Sequence, residues 1–130
     1  QKAISLSPED PRLHESLGRL YSFLGKGGEA LASYQRMREL RPQDPYSYWR
    51  IARFYLEKRD FAEAEKYFAE AARRFPYSSE LRNDLAQVYY IQGKFDEARS
   101  ELEAALRISP YSSILRENLR RSLGRNRSGK

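Results

Sequence analysis

FPYSSELRNDL at residues 75–85 returns as SPYSSILRENL at 109–119, 34 positions further along the chain. The repetition is not isolated. Pro8, Pro42, Pro76 and Pro110 fall at successive intervals of 34, and Pro11 and Pro45 form a second pair with that spacing, so all six prolines follow the one period. An internal period of this length marks stacked supersecondary units, none of which buries a core alone.

Between the prolines, apolar residues recur three or four apart, which gathers them on one helical face. In the first unit these are Leu13, Leu17, Leu20, Tyr21 and Leu24; Gly25, Gly27 and Gly28 break that helix, and Ala30, Leu31, Tyr34, Met37 and Leu40 define a second. The next unit repeats the pattern with Tyr48, Ile51, Ala52, Tyr55 and Leu56, a break near Arg59-Asp60, then Phe61, Ala64, Tyr67, Phe68, Ala71 and Phe75. The third has Leu81, Leu85, Ala86, Val88 and Tyr89, Gly93 as breaker, then Phe95, Ala98, Leu102, Ala105 and Ile108. The spacing predicts helices near 1–7, 11–24, 28–41, 45–58, 61–75, 79–92, 95–108 and 112–123. Helices of roughly 12–15 residues are marginal alone in water, so stacking must stabilise them. Small residues show how: Gly18, Ala52 and Ala86 share one register, Ala30, Ala64 and Ala98 another, and both let backbones approach. Loops of a few residues force antiparallel neighbours, and repeated helix pairs wind into a superhelix.

These units resemble tetratricopeptide repeats, whose 34-residue pattern is W-x2-L-G-x2-Y, then A-x3-F, then P. The matching residues are His14, Leu17, Gly18, Tyr21, Ala30, Tyr34 and Pro42, then Tyr48, Ile51, Ala52, Tyr55, Ala64, Phe68 and Pro76, then Arg82, Leu85, Ala86, Tyr89, Ala98, Leu102 and Pro110. Residues 1–10 read as the end of a preceding repeat, 11–44, 45–78 and 79–112 as three full repeats, 113–124 as a capping helix and 125–130 as a disordered basic tail. The implied fold is an all-α, right-handed superhelical α-solenoid of antiparallel helix pairs. The large aromatic slot holds His14, Tyr48, Arg82 and Arg116 rather than Trp, and Arg120 replaces the small residue in the last helix. His14 is expected to pack against the preceding helix.

Composition narrows the function. There is no cysteine, hence no disulfide or thiolate metal site, and one histidine. No apolar run reaches the roughly 18 residues of a membrane span. The chain begins at Gln1 without a signal-peptide pattern and reads as a soluble piece of something longer, cytoplasmic or periplasmic. The net charge of +6 is concentrated at one end. Arg116, Arg120, Arg121, Arg125, Arg127 and Lys130 against Glu117 give +5 there, leaving a nearly neutral body. Such an end reads first as a solvated terminus, and only second as a nucleic-acid arm. The acid pairs Glu9-Asp10, Glu63-Glu65 and Asp96-Glu97 sit at helix starts, where the dipole favours acids. Gly25-Lys26-Gly27-Gly28 lacks the spacing of a phosphate loop. No cofactor or metal constellation is present, and the chain reads as non-catalytic.

The resemblance implies that the first helix of each pair lines a concave groove that takes a peptide. With the packed stripe removed, those helices carry a second stripe. It comprises Arg12, Glu15, Ser16, Arg19 and Phe23; Tyr46, Trp49, Arg50, Arg53 and Glu57; Glu80, Asn83, Asp84, Gln87 and Tyr90; and Glu117, Asn118 and Arg121 in the cap. The candidate groove residues are Arg12, Glu15, Arg19, Tyr46, Trp49, Arg50, Arg53, Asn83, Asp84, Gln87 and Tyr90. Trp49 is the only tryptophan, and a Trp flanked by Arg has the composition of a binding hot spot. The expected ligand is a peptide with an apolar or aromatic anchor near Trp49, Tyr46 and Tyr90, acidic toward Arg12, Arg19, Arg50 and Arg53 and basic toward Glu80, Asp84 and Glu117. The plain alternative is that these charges pair with one another across adjacent helices. Some members of the family clamp a chaperone's C-terminal carboxylate with Lys and Asn; here Glu15, Glu80 and Asp84 stand in those places and would repel it. The leading expectation is a protein–protein interaction scaffold within a larger protein, with a second copy of the chain as a further candidate partner. The alternatives are a regulatory segment of an enzyme whose catalytic domain lies elsewhere, and nucleic-acid binding through the basic tail.

Overall fold

The computed structural model describes residues 7–128, with side chains through 124. Seven α-helices follow one another: α1 Pro11–Phe23, α2 Gly27–Leu40, α3 Pro45–Glu57, α4 Phe61–Arg74, α5 Ser79–Ile91, α6 Phe95–Ile108 and α7 Ser113–Ser128. No strand occurs among the described residues. Most starts are set by side-chain caps, those of α2 and α6 excepted. Asp10 accepts from the Arg12 amide, Asp44 from Tyr46, Asp60 from Glu63 and Ser78 from Leu81, and Pro11 and Pro45 open their helices with φ already helical. The turn inside each pair needs one left-handed residue. Gly25 and Gly93 supply it at φ 77° and 80°, and Arg59 holds the same register at φ 60°.

Each pair packs on itself and on the first helix of the next, so the core is segmented. Ala30, Tyr34 and Met37 of α2 close on Ile51 and Phe54 of α3. Ala64, Phe68 and Ala71 of α4 close on Tyr48 and Ala52 behind and on Leu81, Leu85 and Val88 ahead. Ala98, Leu102 and Ala105 of α6 close on Ala86 and Leu115. The small residues do what their register implies: Ala30, Ala52, Ala64 and Ala98 are fully buried. A Cβ on Gly18 would run into the Tyr34 ring. The result is an all-α solenoid of antiparallel helix pairs.

Several expectations need correction. Leu20 and Leu24, assigned to the packed stripe of α1, are 51% and 54% exposed. Their neighbours explain it: Phe54 and Val88, the equivalents of Leu20, are covered by α2 and α4, and no described helix precedes α1. The helix expected over 1–7 lies, save for Ser7, outside the described residues. The last helix does not stop at 123. It runs to Ser128, taking the backbone of 125–128 out of the expected disordered tail, because neither proline nor a left-handed glycine interrupts it; residues 129 and 130 lie outside the described residues.

The aromatic slot is reused as a lock on the interpair turn. His14 Nε2 lies 2.6 Å from the Pro8 carbonyl and donates to it, and Arg82 and Arg116 reach the Pro76 and Pro110 carbonyls at 3.2 Å. This turn contact reaches six residues back; the helix against which His14 is expected to pack lies, save for Ser7, outside the described residues. Tyr48, the one aromatic in the register, is buried beneath the guanidiniums of Arg38 and Arg74 at 5.6 and 5.4 Å from its ring centre.

Candidate binding groove

The inner helices α1, α3, α5 and α7 are joined side chain to side chain by a ladder. A residue in the register of Glu15, Trp49 and Asn83 meets, 35 positions later, a residue in the register of Arg50, Asp84 and Asn118. The rungs differ chemically. Glu15 and Arg50 form an ion pair at 3.9 Å, the Trp49 indole Nε1–H donates to Asp84 Oδ2 at 2.9 Å, and Asn118 Nδ2 donates to Asn83 Oδ1 at 2.9 Å. Tyr46 adds a strut between α3 and α1, its hydroxyl donating to Glu15 Oε2 at 2.6 Å. Burial and that carboxylate raise the phenol's pKa.

Around the middle rung a cavity of about 490 Å³ opens between α3 and α5. Tyr46 and Trp49 form one wall, their rings stacked at 5.6 Å and 20°. Glu80, Leu81, Asn83 and Asp84 form the opposite wall, and Asp44, Pro45 and Ser78 close the end. Burial lifts the Asp84 carboxyl to about 6, against the pull of the Trp49 N–H and of the Arg53 charge, with Glu80 adding to the rise.

The positive side of the groove is largely spoken for. Arg12 grips Asp10, its own helix cap, at 2.7 Å. Arg50 pairs with Glu15 and lies over the rings of Tyr34, Tyr46 and Trp49 at 5.5–5.7 Å. Arg53 pairs with Glu57 at 3.8 Å and lies 5.6 Å from the Trp49 ring centre. Among the described residues the buried Nε atoms of Arg50 and Arg53 have no hydrogen-bond acceptor, and their guanidinium carbons lie over these aromatic faces. Arg19 is exposed and makes no ion pair among the described residues.

The structure thus brings Tyr46, Trp49, Asn83 and Asp84 to one cavity and sets Arg50 and Arg53 behind it. Arg12 and Glu15 line a smaller recess of about 100 Å³ between α1 and α3, with Tyr46 at its edge. Gln87 and Tyr90 belong to a separate cavity of about 210 Å³ against α7, where Asn118 and Arg121 face them. Tyr90, edge-on to Phe95, therefore does not join Tyr46 and Trp49 in one anchor site. Asp44, Ser78 and Leu81 were absent from the expected set, since each reads as a cap or a core position. Pairing each inner-helix residue with the one 35 further on would have found the ladder.

Among the described residues no group of acids and His is placed to hold a metal ion, and no helix is long and apolar enough to cross a membrane.

Comparison with known proteins agrees with the fold. Family models described as tetratricopeptide repeat match residues 13–45 and 50–113. The fold is similar to the first tetratricopeptide domain of Spaghetti (RPAP3) bound to the HSP90 peptide SRMEEVD, at 20% identity over 94% of this chain and 97% of that one, with a TM-score of 0.74. It is also similar to the first such domain of human RPAP3, at 21% identity over 94% and 96% with a TM-score of 0.77. The Arabidopsis OM64 domain follows at 16% identity over 88% and 94%, with a TM-score of 0.73. No curated protein matches the chain.

Proposed function

The chain belongs to the tetratricopeptide repeat family, and from that premise we propose that it is a non-catalytic interaction scaffold whose inner helices seat a segment of a partner protein. The observation that carries this reading is the cavity between α3 and α5, walled by the stacked Tyr46 and Trp49 and opening beside the Trp49–Asp84 rung. A half-buried Trp and Tyr with nearby Arg is the composition of an interface centre. The fold adds a reason. Its inner helices are fixed against one another by side chains, so the surface is preorganised and little ordering opposes binding.

The partner's chemistry differs from that of the structural neighbour. RPAP3's peptide, SRMEEVD, ends in carboxylates. Here Glu15, Glu80 and Asp84 line the same inner helices, and the nearest arginines already hold Glu15 and Glu57. An anionic terminus would meet like charge.

The test is selection from a displayed peptide library, followed by amide-shift mapping of a selected peptide, with SRMEEVD as comparison. Shifts clustered on α3, α5 and the Trp49 indole, with no saturable response to SRMEEVD, are expected. Selected peptides that perturb only α2, α4 and α6 would sink the groove reading.

A further inference from the structure

We infer that the cavity between α3 and α5 takes the side chain of a basic residue, lysine or arginine, carried by the partner segment; this rests on the groove reading above. Three carboxylates line the cavity, those of Asp44, Glu80 and Asp84, and neither a lysine nor an arginine does. Its volume, about 490 Å³, has room for a long side chain. The stacked Tyr46 and Trp49 supply an aromatic wall for an aliphatic stem, and aromatic faces attract cations.

The neighbouring arginines do not cancel this field. Arg50 and Arg53 flank the indole but are held by Glu15 and Glu57, and neither lines the cavity. Arg41 approaches Asp44 only at 4.0 Å. Glu80 is exposed and makes no ion pair among the described residues. Asp84 is half-buried, accepts from Trp49 through Oδ2, and is raised by burial to about 6. Such a group is stabilised by an incoming cation and further penalised by an incoming acid or hydrocarbon, which would desolvate it without pairing it. Facing Asp84 are Trp49 and Arg53 from α3 and Glu80 from its own helix. Acidification neutralises the carboxyl and should weaken the site.

The experiment uses the peptides acetyl-Gly-X-Gly-amide, with X arginine, lysine, leucine or glutamate. The readout is the Trp49 indole N–H resonance, which is unambiguous because the chain has one tryptophan. The arginine or lysine peptide should shift it saturably, at least tenfold tighter than leucine or glutamate. Affinity should fall at pH 5, and by about fivefold to tenfold in Glu80→Gln and in Asp84→Asn, the latter keeping an acceptor for the indole. Equal or tighter binding of the leucine or glutamate peptide, or undiminished arginine binding in the doubly substituted protein, overturns the inference. Library peptides that seat on the inner helices with no basic residue at the cavity also overturn it, while leaving the groove reading intact. Absence of any peptide on those helices overturns both. Self-association competed away by the arginine peptide would put a second copy in the cavity and overturn the assignment to a separate partner.

Discussion

Trp49 and Asp84, 35 residues apart and on different repeats, are joined at 2.9 Å between indole Nε1 and Oδ2, and this bond ties the second repeat to the third across the groove. Burial, acting against this bond, makes Asp84 a source of pH-dependent stability. The carboxyl's folded pKa is about 6 against 3.8 in its ordinary state, so the acid form is the one that folding favours. Its contribution is fully present below about 3.8 and is lost as pH rises through about 6. Asp84→Asn keeps an acceptor for the indole and removes the charge. It should match the parent in stability near pH 4 and exceed it at pH 7.5 by as much as about 3 kcal/mol. Denaturant unfolding of both proteins across that range checks this; a constant difference between them refutes it.

Trp49 should matter twice over. Trp49→Ala should cost about 2 kcal/mol or more in affinity for a groove-selected peptide. Trp49→Phe keeps much of the ring wall but removes the N–H, leaving Asp84 without its donor. That variant should lose about 1–2 kcal/mol of stability, and combining it with Asp84→Asn should recover part of it. Calorimetry for binding and a double-mutant cycle for stability separate the two roles. Unchanged peptide affinity in Trp49→Ala would show that the charges of the inner helices serve one another only.

Arg59 holds a left-handed backbone, φ 60°, where the first and third repeats use Gly25 and Gly93. Its side chain returns something by lying 5.2 Å over the Phe61 ring. Relief of the backbone strain outweighs one exposed cation–π contact, so Arg59→Gly should stabilise the fold by about 0.5–1 kcal/mol. Conversely Gly93→Ala, with open space for its methyl group, should cost about 1 kcal/mol through φ alone. Thermal unfolding of the two variants gives both signs.

Gly18 should tolerate no side chain. A methyl group there collides with the Tyr34 ring, which is 3% exposed and has nowhere to go. Gly18→Ala should destabilise by about 1–3 kcal/mol despite alanine's better helix propensity. Tyr34→Leu in the same chain, clearing the ring, should restore part of the loss, as melting curves would report.

Much of the fold could be read from the chain because each repeat restates the same register. Gly18, Ala52 and Ala86 mark where helices touch, and Asp10, Asp44, Asp60 and Ser78 mark where they begin. Six of the described helices end within a residue or so of the expected positions. The last overran because Arg-rich sequence after Leu123 contains no stop signal, only Gly124 in a helical conformation. Site residues were legible one at a time and not as pairs. Periodicity states that Trp49 and Asp84 face the groove; it does not state that they face each other. Tyr90 was grouped with Trp49 on shared register, yet α7 draws it into a second cavity.

The ladder along the inner helices sets three contacts in series, each of different material. Salt loosens the Glu15–Arg50 joint by screening, acid acts on the Trp49–Asp84 joint by neutralising it, and neither reaches the Asn83–Asn118 joint. Each contact should therefore be weakened by its own solution condition without disturbing the others. A cation seated at the middle joint should reinforce that contact alone and leave the outer two to respond to salt and acid as before.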